Sequence, residues 1–285
     1  VVRHGSFEAA AGALSVTPSA VSQRIKALEH AAGQVLVRRA RPTAATAAGA
    51  VLLRLAGQVA LLESAARTAL GSAGPVTLAL AVNADSLSTW FDEVLADLPR
   101  GALVDVHRAD QDLTSGLLRD GTVMAAVTGD AAAVQGCSCT PLGAMRYLAV
   151  ATAEYRDTYL GGHLPGASTQ TQWASAPLAA FDRSDTLQDQ FLASLGVSAQ
   201  PPRNYLPTQE SFLRVVRAGR AWGMAAESAV ADDLAAAALV DAAPGRWLDL
   251  PLFWQRWKVD APVLADLTVR VRAAAGRRLR PTGRT

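Results

Sequence analysis

The sequence predicts a chain of mixed class in three parts: a small, mostly helical head, one long helix, and a two-part α/β body. Three observations predict it. Two short capped helices and a basic segment fill residues 1–45. A stripe of apolar residues spaced three and four apart runs through residues 46–72. From residue 75 onward, apolar β-type runs alternate with helical stretches, which is the grammar of a parallel sheet covered by helices.

The head is read first. Ser6 can cap a helix carrying Phe7, Ala10, Ala11 and Leu14, because a serine oxygen accepts an orphan N–H of the opening turn. Ser15, Val16 and Thr17 break it. Thr17 caps a second helix and Pro18 takes its first position, where a missing N–H costs nothing. Val21, Ile25 and Leu28 form one apolar stripe. The opposite face shows Ser19, Ser22, Gln23 and Lys26, short or flexible donors and acceptors suited to base edges and phosphates in a DNA major groove. An ordinary helical hairpin with a solvated face would show the same pattern. The charge favours DNA: Arg3, Arg24, Lys26, Arg38, Arg39 and Arg41 stand against Glu8 and Glu29 in residues 1–45. Arg38, Arg39 and Arg41 lie where a β-wing would meet phosphates, and arginine–phosphate pairing supplies sequence-independent affinity. The head is thus expected to be a winged helix–turn–helix spanning residues 1–45.

The long helix follows. Thr46 caps it, and Gly71, Ser72, Ala73, Gly74 and Pro75 end it. Leu52, Leu55, Val59, Leu62, Ala66 and Ala69 keep an alternating spacing of three and four, the seam of two helices packed side by side. Residues 46–72 are read as a dimerisation linker with Leu52, Leu55, Val59 and Leu62 as its contacts. A symmetric dimer reads two half-sites of a pseudo-palindrome, which suits the head.

The body spans residues 75–285. Strands are expected at 76–82, 103–106, 123–127 and 147–151, a turn at 83–86, and helices at 87–98 and 112–120. The middle repeats the pattern: strands at 177–181 and 223–225, helices at 186–195, 208–218 and 228–238, two β-like pieces within 247–259, and a closing helix at 262–279. Two similar halves, the second inserted into the first, make a hinged clamshell like that of periplasmic binding proteins. The halves are residues 75–150 with 255–285, and residues 151–254. Ligands of open α/β sheets sit beyond the carboxyl ends of strands. The candidate groups there are Asn83, Asp85, Ser86, Thr128, Asp182, Asp185, Thr208 and Glu210. Capping of their own helices or turns is an equal reading for Ser86, Asp185 and Thr208. The set is rich in carboxylates and lacks a clustered base, so it suits a ligand with a cationic side chain.

Composition bounds the rest. Net charge is +2, with a basic head, six arginines from Arg270 onward, and an excess of acids between. The basic tail reads as a solvated helix end. Cys137 and Cys139 read as free thiols, since a bridge across one residue is strained. No apolar run approaches a membrane span and no leader opens the chain, so a cytoplasmic protein is expected. No metal ligand set and no cofactor motif are present. G-x-S-x-G, G-x-G-x-x-G, a P-loop and H-E-x-x-H are all missing, and the four histidines are scattered, which speaks against an enzyme. A transport-type solute-binding protein is the reading the clamshell alone would allow.

SFEAAAGALSVTPSAVSQRIKALE, then GQVLVRR, then TAAG, resembles the winged helix–turn–helix of the LysR-type transcriptional regulators across about residues 1–49. That family has a full helix before the Gly-Ser-Phe turn, so a start at Val1-Val2-Arg3-His4 reads as truncated. NADSLSTWF from Asn83, with the later LGAMRYL, FDRSD and TQESF, is similar to the arginine/lysine-responsive ArgP/LysG group within it. The resemblance implies double-stranded DNA with a dyad-bearing promoter site, a basic amino acid as co-effector, RNA polymerase, and a homodimer or dimer of dimers as partners. It further implies that Asn83, Asp85 and Ser86 hold the amino-acid backbone, with Thr128 nearby. Asp182, Asp185 or Glu210 would then face the cationic end. A LysR-type regulator with another small-molecule effector is the alternative.

Overall fold

The computed structural model describes residues 1–72, 74–99, 101–109, 111–161 and 170–281. In chain order the elements are α1 (Phe7–Ala13), α2 (Pro18–Ala32), β1 (Val37–Arg38), β2 (Ala44–Ala45), α3 (Ala47–Ala69), β3 (Val76–Val82), α4 (Ala84–Thr89), α5 (Phe91–Ala96), β4 (Ala102–Arg108), α6 (Gln111–Arg119), β5 (Ala125–Thr128) and β6 (Cys137–Ala151). Then come α7 (Ala153–Tyr159), α8 (Gln170–Ser175), β7 (Leu178–Ala180), α9 (Leu187–Ser194), β8 (Arg203–Tyr205), α10 (Gln209–Arg217), β9 (Gly223–Ala226), a 3-10 turn (Glu227–Ala229), α11 (Ala231–Ala235), β10 (Val240–Asp241), β11 (Trp247–Trp257) and α12 (Pro262–Arg278).

The chain divides into two compact units. The first holds residues 1–83, 94–141 and 253–271; the second holds 84–93, 142–252 and 272–285. In the first unit β3 pairs in parallel with β4 and with β5, and β11 pairs antiparallel with β5. Its core includes Leu78, Leu80, Val82, Val127, Leu118, Trp254, Trp257 and Leu264. In the second unit β6 pairs antiparallel with β9 and with β10, and β7 pairs in parallel with β8. Leu148, Val150, Phe212, Val216, Ala225 and Leu239 share one core there.

Capping decides the helical starts as the side chains dictate. Ser6 Oγ accepts from Ala9 N–H at 3.0 Å, Thr17 Oγ1 from Ala20 N–H at 3.2 Å, and Thr46 Oγ1 from Gly49 N–H at 3.1 Å. Pro18 stands at the first position of α2 and Gly33, at φ +63°, ends that helix in the left-handed region glycine adopts without strain.

Several elements differ from expectation. The turn expected at 83–86 is shorter, because Ala84 already opens α4, and the helix expected at 87–98 is divided at the buried Trp90. β6 starts ten residues before the expected Tyr147; Pro141 and Gly143 disguise it as a loop, since both usually mark breaks in strands. β11 runs unbroken through Pro251, where two pieces were expected. The helix expected at 228–238 is a 3-10 turn followed by one turn of α-helix. Helices α7 and α8 and strand β10 were not foreseen. The expected division at 150/151 and 254/255 is also displaced. Residues 142–151 pair with β9, β10 and Arg280 in the second unit, and α4 packs on the 3-10 turn there. The head, which has a small core of its own in Ala10, Ala11 and Val21, and α3 fall within the first unit.

The expectation that no stretch approaches a membrane span does not hold for α3, whose 23 residues are long and apolar enough by length and composition to cross a bilayer. Alanine supplies much of that apolarity. Its charged Arg54 donates to the Gln135 carbonyl at 2.7 Å, as a helix resting on protein disposes of its charge. The basic tail is solvated as expected, with Arg277, Arg278 and Arg280 all exposed, and it also forms ion pairs: Arg277 and Arg278 with Glu93, and Arg280 with Glu227. Arg284 and Ala73 lie outside the described residues.

Candidate functional site

Two sets of residues answer to the sequence-based expectations; the first lies in the first unit, and of the second set Asn83 and Thr128 belong to the first unit and the others to the second. The first is on α2 and the β1–β2 hairpin. Val21 is buried with Ala10 and Ala11, and Val1, Phe7, Val16 and Ile25 pack around them. That leaves Thr17, Pro18, Ser19, Gln23 and Lys26 exposed, with Ser22 half-buried. The hairpin pairs Val37 with Ala45 and Arg38 with Ala44, so Arg38, Arg39 and Arg41 all stand exposed on or beyond β1. Glu29 Oε1 accepts from the N–H groups of Leu36 and Val37 at 2.9 and 3.2 Å, and Thr43 N–H donates to Gly5 O at 2.8 Å. The wing is thereby fastened to the end of α2 and to the start of the chain. Arg39 is less free than expected, since its guanidinium lies over the Phe7 ring at 4.9 Å from the centroid.

The second set begins at the carboxyl end of β3. Asn83 is 9% exposed and Ser86 is fully buried, and neither Asn83 Oδ1 nor Ser86 Oγ has a hydrogen-bond partner among the described residues. Such orphans are rare among buried polar atoms and cost about 1–3 kcal/mol each unless something else satisfies them. Between them, Asp85 accepts from the Tyr147 hydroxyl at 2.7 Å through Oδ2. Burial first, then the Asp85 carboxylate, pushes the Tyr147 phenol well above its ordinary pKa, so it is held as a protonated donor. Sequence reasoning missed Tyr147. It was legible only as one apolar position in a strand, although it falls within LGAMRYL.

The remaining candidates are placed as follows. Thr128, 1% exposed at the end of β5, accepts from Asp130 N–H at 3.0 Å. Asp182 Oδ1 accepts from Ser184 Oγ at 2.6 Å and from Ser184 N–H at 2.7 Å, and these bonds hold its carboxyl below the usual range. Asp185 accepts from Phe181 N–H at 2.9 Å and Leu187 N–H at 3.0 Å, so it closes the turn before α9. Thr208 caps α10 by accepting from Ser211 N–H at 3.2 Å. Glu210 pairs with Arg214 one turn on, on an exposed face. The structure thus brings Asp85 to Tyr147, while Asp182, Asp185 and Glu210 each have partners of their own in loop or helix. On α3, Leu55, Val59 and Leu62 are about half exposed, Leu52 is partly buried, and Gly57 and Leu61 face inward.

Comparison with known proteins places this architecture. The family described as bacterial regulatory helix-turn-helix protein, lysR family, matches residues 1–50. The lysine export transcriptional regulatory protein LysG of Corynebacterium glutamicum is 40% identical over 288 residues, covering 99% of this chain and 96% of that protein. The crystal structure of ArgP from Mycobacterium tuberculosis is similar at 46% identity and a TM-score of 0.87, covering 99% of this chain and 96% of that one. Full-length LysG from Corynebacterium glutamicum with bound effector Arg is similar at 39% identity and a TM-score of 0.77, covering 98% and 96%. With a LysR-type head, a long connecting helix and an α/β body matched along nearly its whole length, this chain belongs to the LysR family and, within it, to the LysG/ArgP transcriptional regulators.

Proposed function

We propose that this regulator reads DNA through α2 and the β1–β2 wing and answers to arginine or lysine bound at the carboxyl end of β3. One observation carries the effector reading: Ser86 Oγ is buried without a partner among the described residues, next in sequence to the Asp85 carboxylate. A ligand offering a donor to Ser86 would bring its ammonium group to a carboxylate. Arginine bound to the LysG of Corynebacterium glutamicum supports the ligand class. In this reading Asn83, Asp85 and Ser86 hold the amino-acid backbone, Thr128 stands by, and control of basic amino-acid export or metabolism is the output. Asp182, Asp185 and Glu210 are weaker candidates for the cationic end, since each already has a partner.

On the DNA side, Ser19, Ser22, Gln23 and Lys26 face base edges and phosphates, with Thr17 and Pro18 at the helix start and Arg38, Arg39 and Arg41 on the wing. Leu52, Leu55, Val59 and Leu62 join two chains, and pairs of dimers occupy a dyad-bearing promoter. The ligand acts by binding one arrangement of the assembly more tightly than another, which alters promoter bending or the recruitment of RNA polymerase. Such work belongs in the cytoplasm, where the chromosome is.

The test is isothermal titration with arginine, lysine, histidine and leucine. The expected outcome is binding of arginine or lysine, none of leucine, and loss of at least tenfold in affinity in Asp85→Ala with an unchanged circular dichroism spectrum. Equal binding of leucine, or no effect of Asp85→Ala, rejects the reading.

A further inference from the structure

We infer that Tyr147 is a positioning residue of the effector site: its hydroxyl holds the Asp85 carboxylate in place to receive the α-ammonium group of the bound amino acid. The inference rests on the effector reading above and adds to it the residue that sets preference for that group.

Tyr147 is itself well fixed. It lies on β6, its backbone is paired with Ala226 of β9, and it is 4% exposed. Its hydroxyl reaches Asp85 Oδ2 at 2.7 Å. A phenol donating to a carboxylate at that distance makes a charge-assisted hydrogen bond, stronger and more directional than a neutral one. Asp85 lies in the first turn of the six-residue α4 and is only partly buried. The next residue, Ser86, is fully buried with its Oγ unpartnered. A ligand that satisfies Ser86 therefore arrives beside a carboxylate whose direction Tyr147 has already set.

The electrostatics agree with the geometry. Burial acts most strongly on the phenol, and the negative charges of Asp85 and, to a lesser extent, Asp185 add to its effect. The phenol keeps its proton, so it remains a donor and does not add a third anion. A neutral donor among carboxylates orients one of them without cancelling the negative potential that attracts a cation. A lysine or arginine side chain in place of Tyr147 would supply the same hydrogen bond and remove that potential.

Tyr147→Phe keeps the ring and deletes the donor. The full-length protein and this variant are titrated with arginine and with δ-guanidinovalerate, which is arginine without its α-amino group. Arginine affinity is expected to fall about tenfold, or about 1.4 kcal/mol. Affinity for δ-guanidinovalerate is expected to change less than twofold, so the preference for arginine over its deaminated analogue shrinks by nearly the whole factor. Introduced into Asp85→Asn, the same change is expected to alter arginine affinity less than twofold, because Tyr147 acts through the carboxylate. Unchanged arginine binding in Tyr147→Phe, or equal losses for both ligands, overturns the inference and leaves the effector reading standing. Failure of the unmodified protein to bind arginine or lysine overturns both.

Discussion

Glu29 is an acid in a basic head, and its carboxylate is engaged by backbone: Oε1 receives the N–H groups of both Leu36 and Val37. Deleting it leaves two part-buried donors unpaired, at a cost of about 1–3 kcal/mol. Glu29→Ala is therefore expected to speed amide exchange at Leu36 and Val37 by tenfold or more, with exchange along β3 unchanged. Protection equal to that of the unmodified chain would show that the wing is held by other bonds. The same scale explains which candidate ligand groups were legible. Asn83, Asp85 and Ser86 stand out in the sequence by position, at the end of an apolar run. Nothing local distinguishes them from Asp182 or Asp185, because short polar side chains cap turns and bind ligands with the same atoms. Only their hydrogen-bond partners in the folded chain separate them. Asp185 is satisfied by Phe181 and Leu187, whereas Ser86 Oγ is buried without a partner. Tyr147 was invisible as a functional group, since its hydroxyl meets Asp85 across 62 positions of sequence.

At the scale of elements, α3 has two faces with different occupants. Inward, Arg54, Gly57 and Leu61 face the rest of the first unit. A Cβ on Gly57 would come within 2.6 Å of the Trp257 ring, and one on Gly121, at φ +80°, within 2.6 Å of the Arg54 backbone. Those glycines are what let the helix approach so closely. Outward, Leu55, Val59 and Leu62 remain about half exposed along one stripe. Covering side chains of that size contributes about 1–2 kcal/mol each on burial of the exposed half. Leu55→Asp combined with Val59→Asp is expected to shift the sedimentation velocity of the protein to that of a single chain, at concentrations where the unmodified chain is dimeric or larger. Unaltered assembly would place the dimer contact elsewhere. The spacing of this stripe was plain in the sequence. The glycine approach on the reverse face was not, because it depends on Trp257 and on a turn at Gly121.

For the whole molecule, the uneven charge matters more than the net value of +2. The arginines of the wing are exposed; Arg277, Arg278 and Arg280 are exposed as well, but they are engaged in ion pairs, Arg277 and Arg278 with Glu93 and Arg280 with Glu227. Each phosphate neutralised by a cation adds roughly 0.9 to the salt slope of DNA binding. Arg41→Ala is therefore expected to lower the slope of log affinity against log salt by about one, measured by fluorescence anisotropy on promoter DNA. Arg278→Ala is expected to leave it unchanged. The reverse pattern would move the DNA-binding surface to the C-terminal helix.

What the sequence determined by itself was local or periodic. It specified the capped helices of the head, the apolar stripe of α3, and most of the strands and helices in the body, though not α7, α8 or β10, because caps and hydrophobic periods act over a few residues. Tertiary structure alone decided the extent of β6 and β11, whose prolines and Gly143 read as breaks until pairing across the sheet holds the backbone extended. It also decided which unit each segment joins, and which buried polar atoms lack partners. Those outcomes are set by contacts between residues far apart in the chain, and no short stretch of sequence contains both members of such a contact.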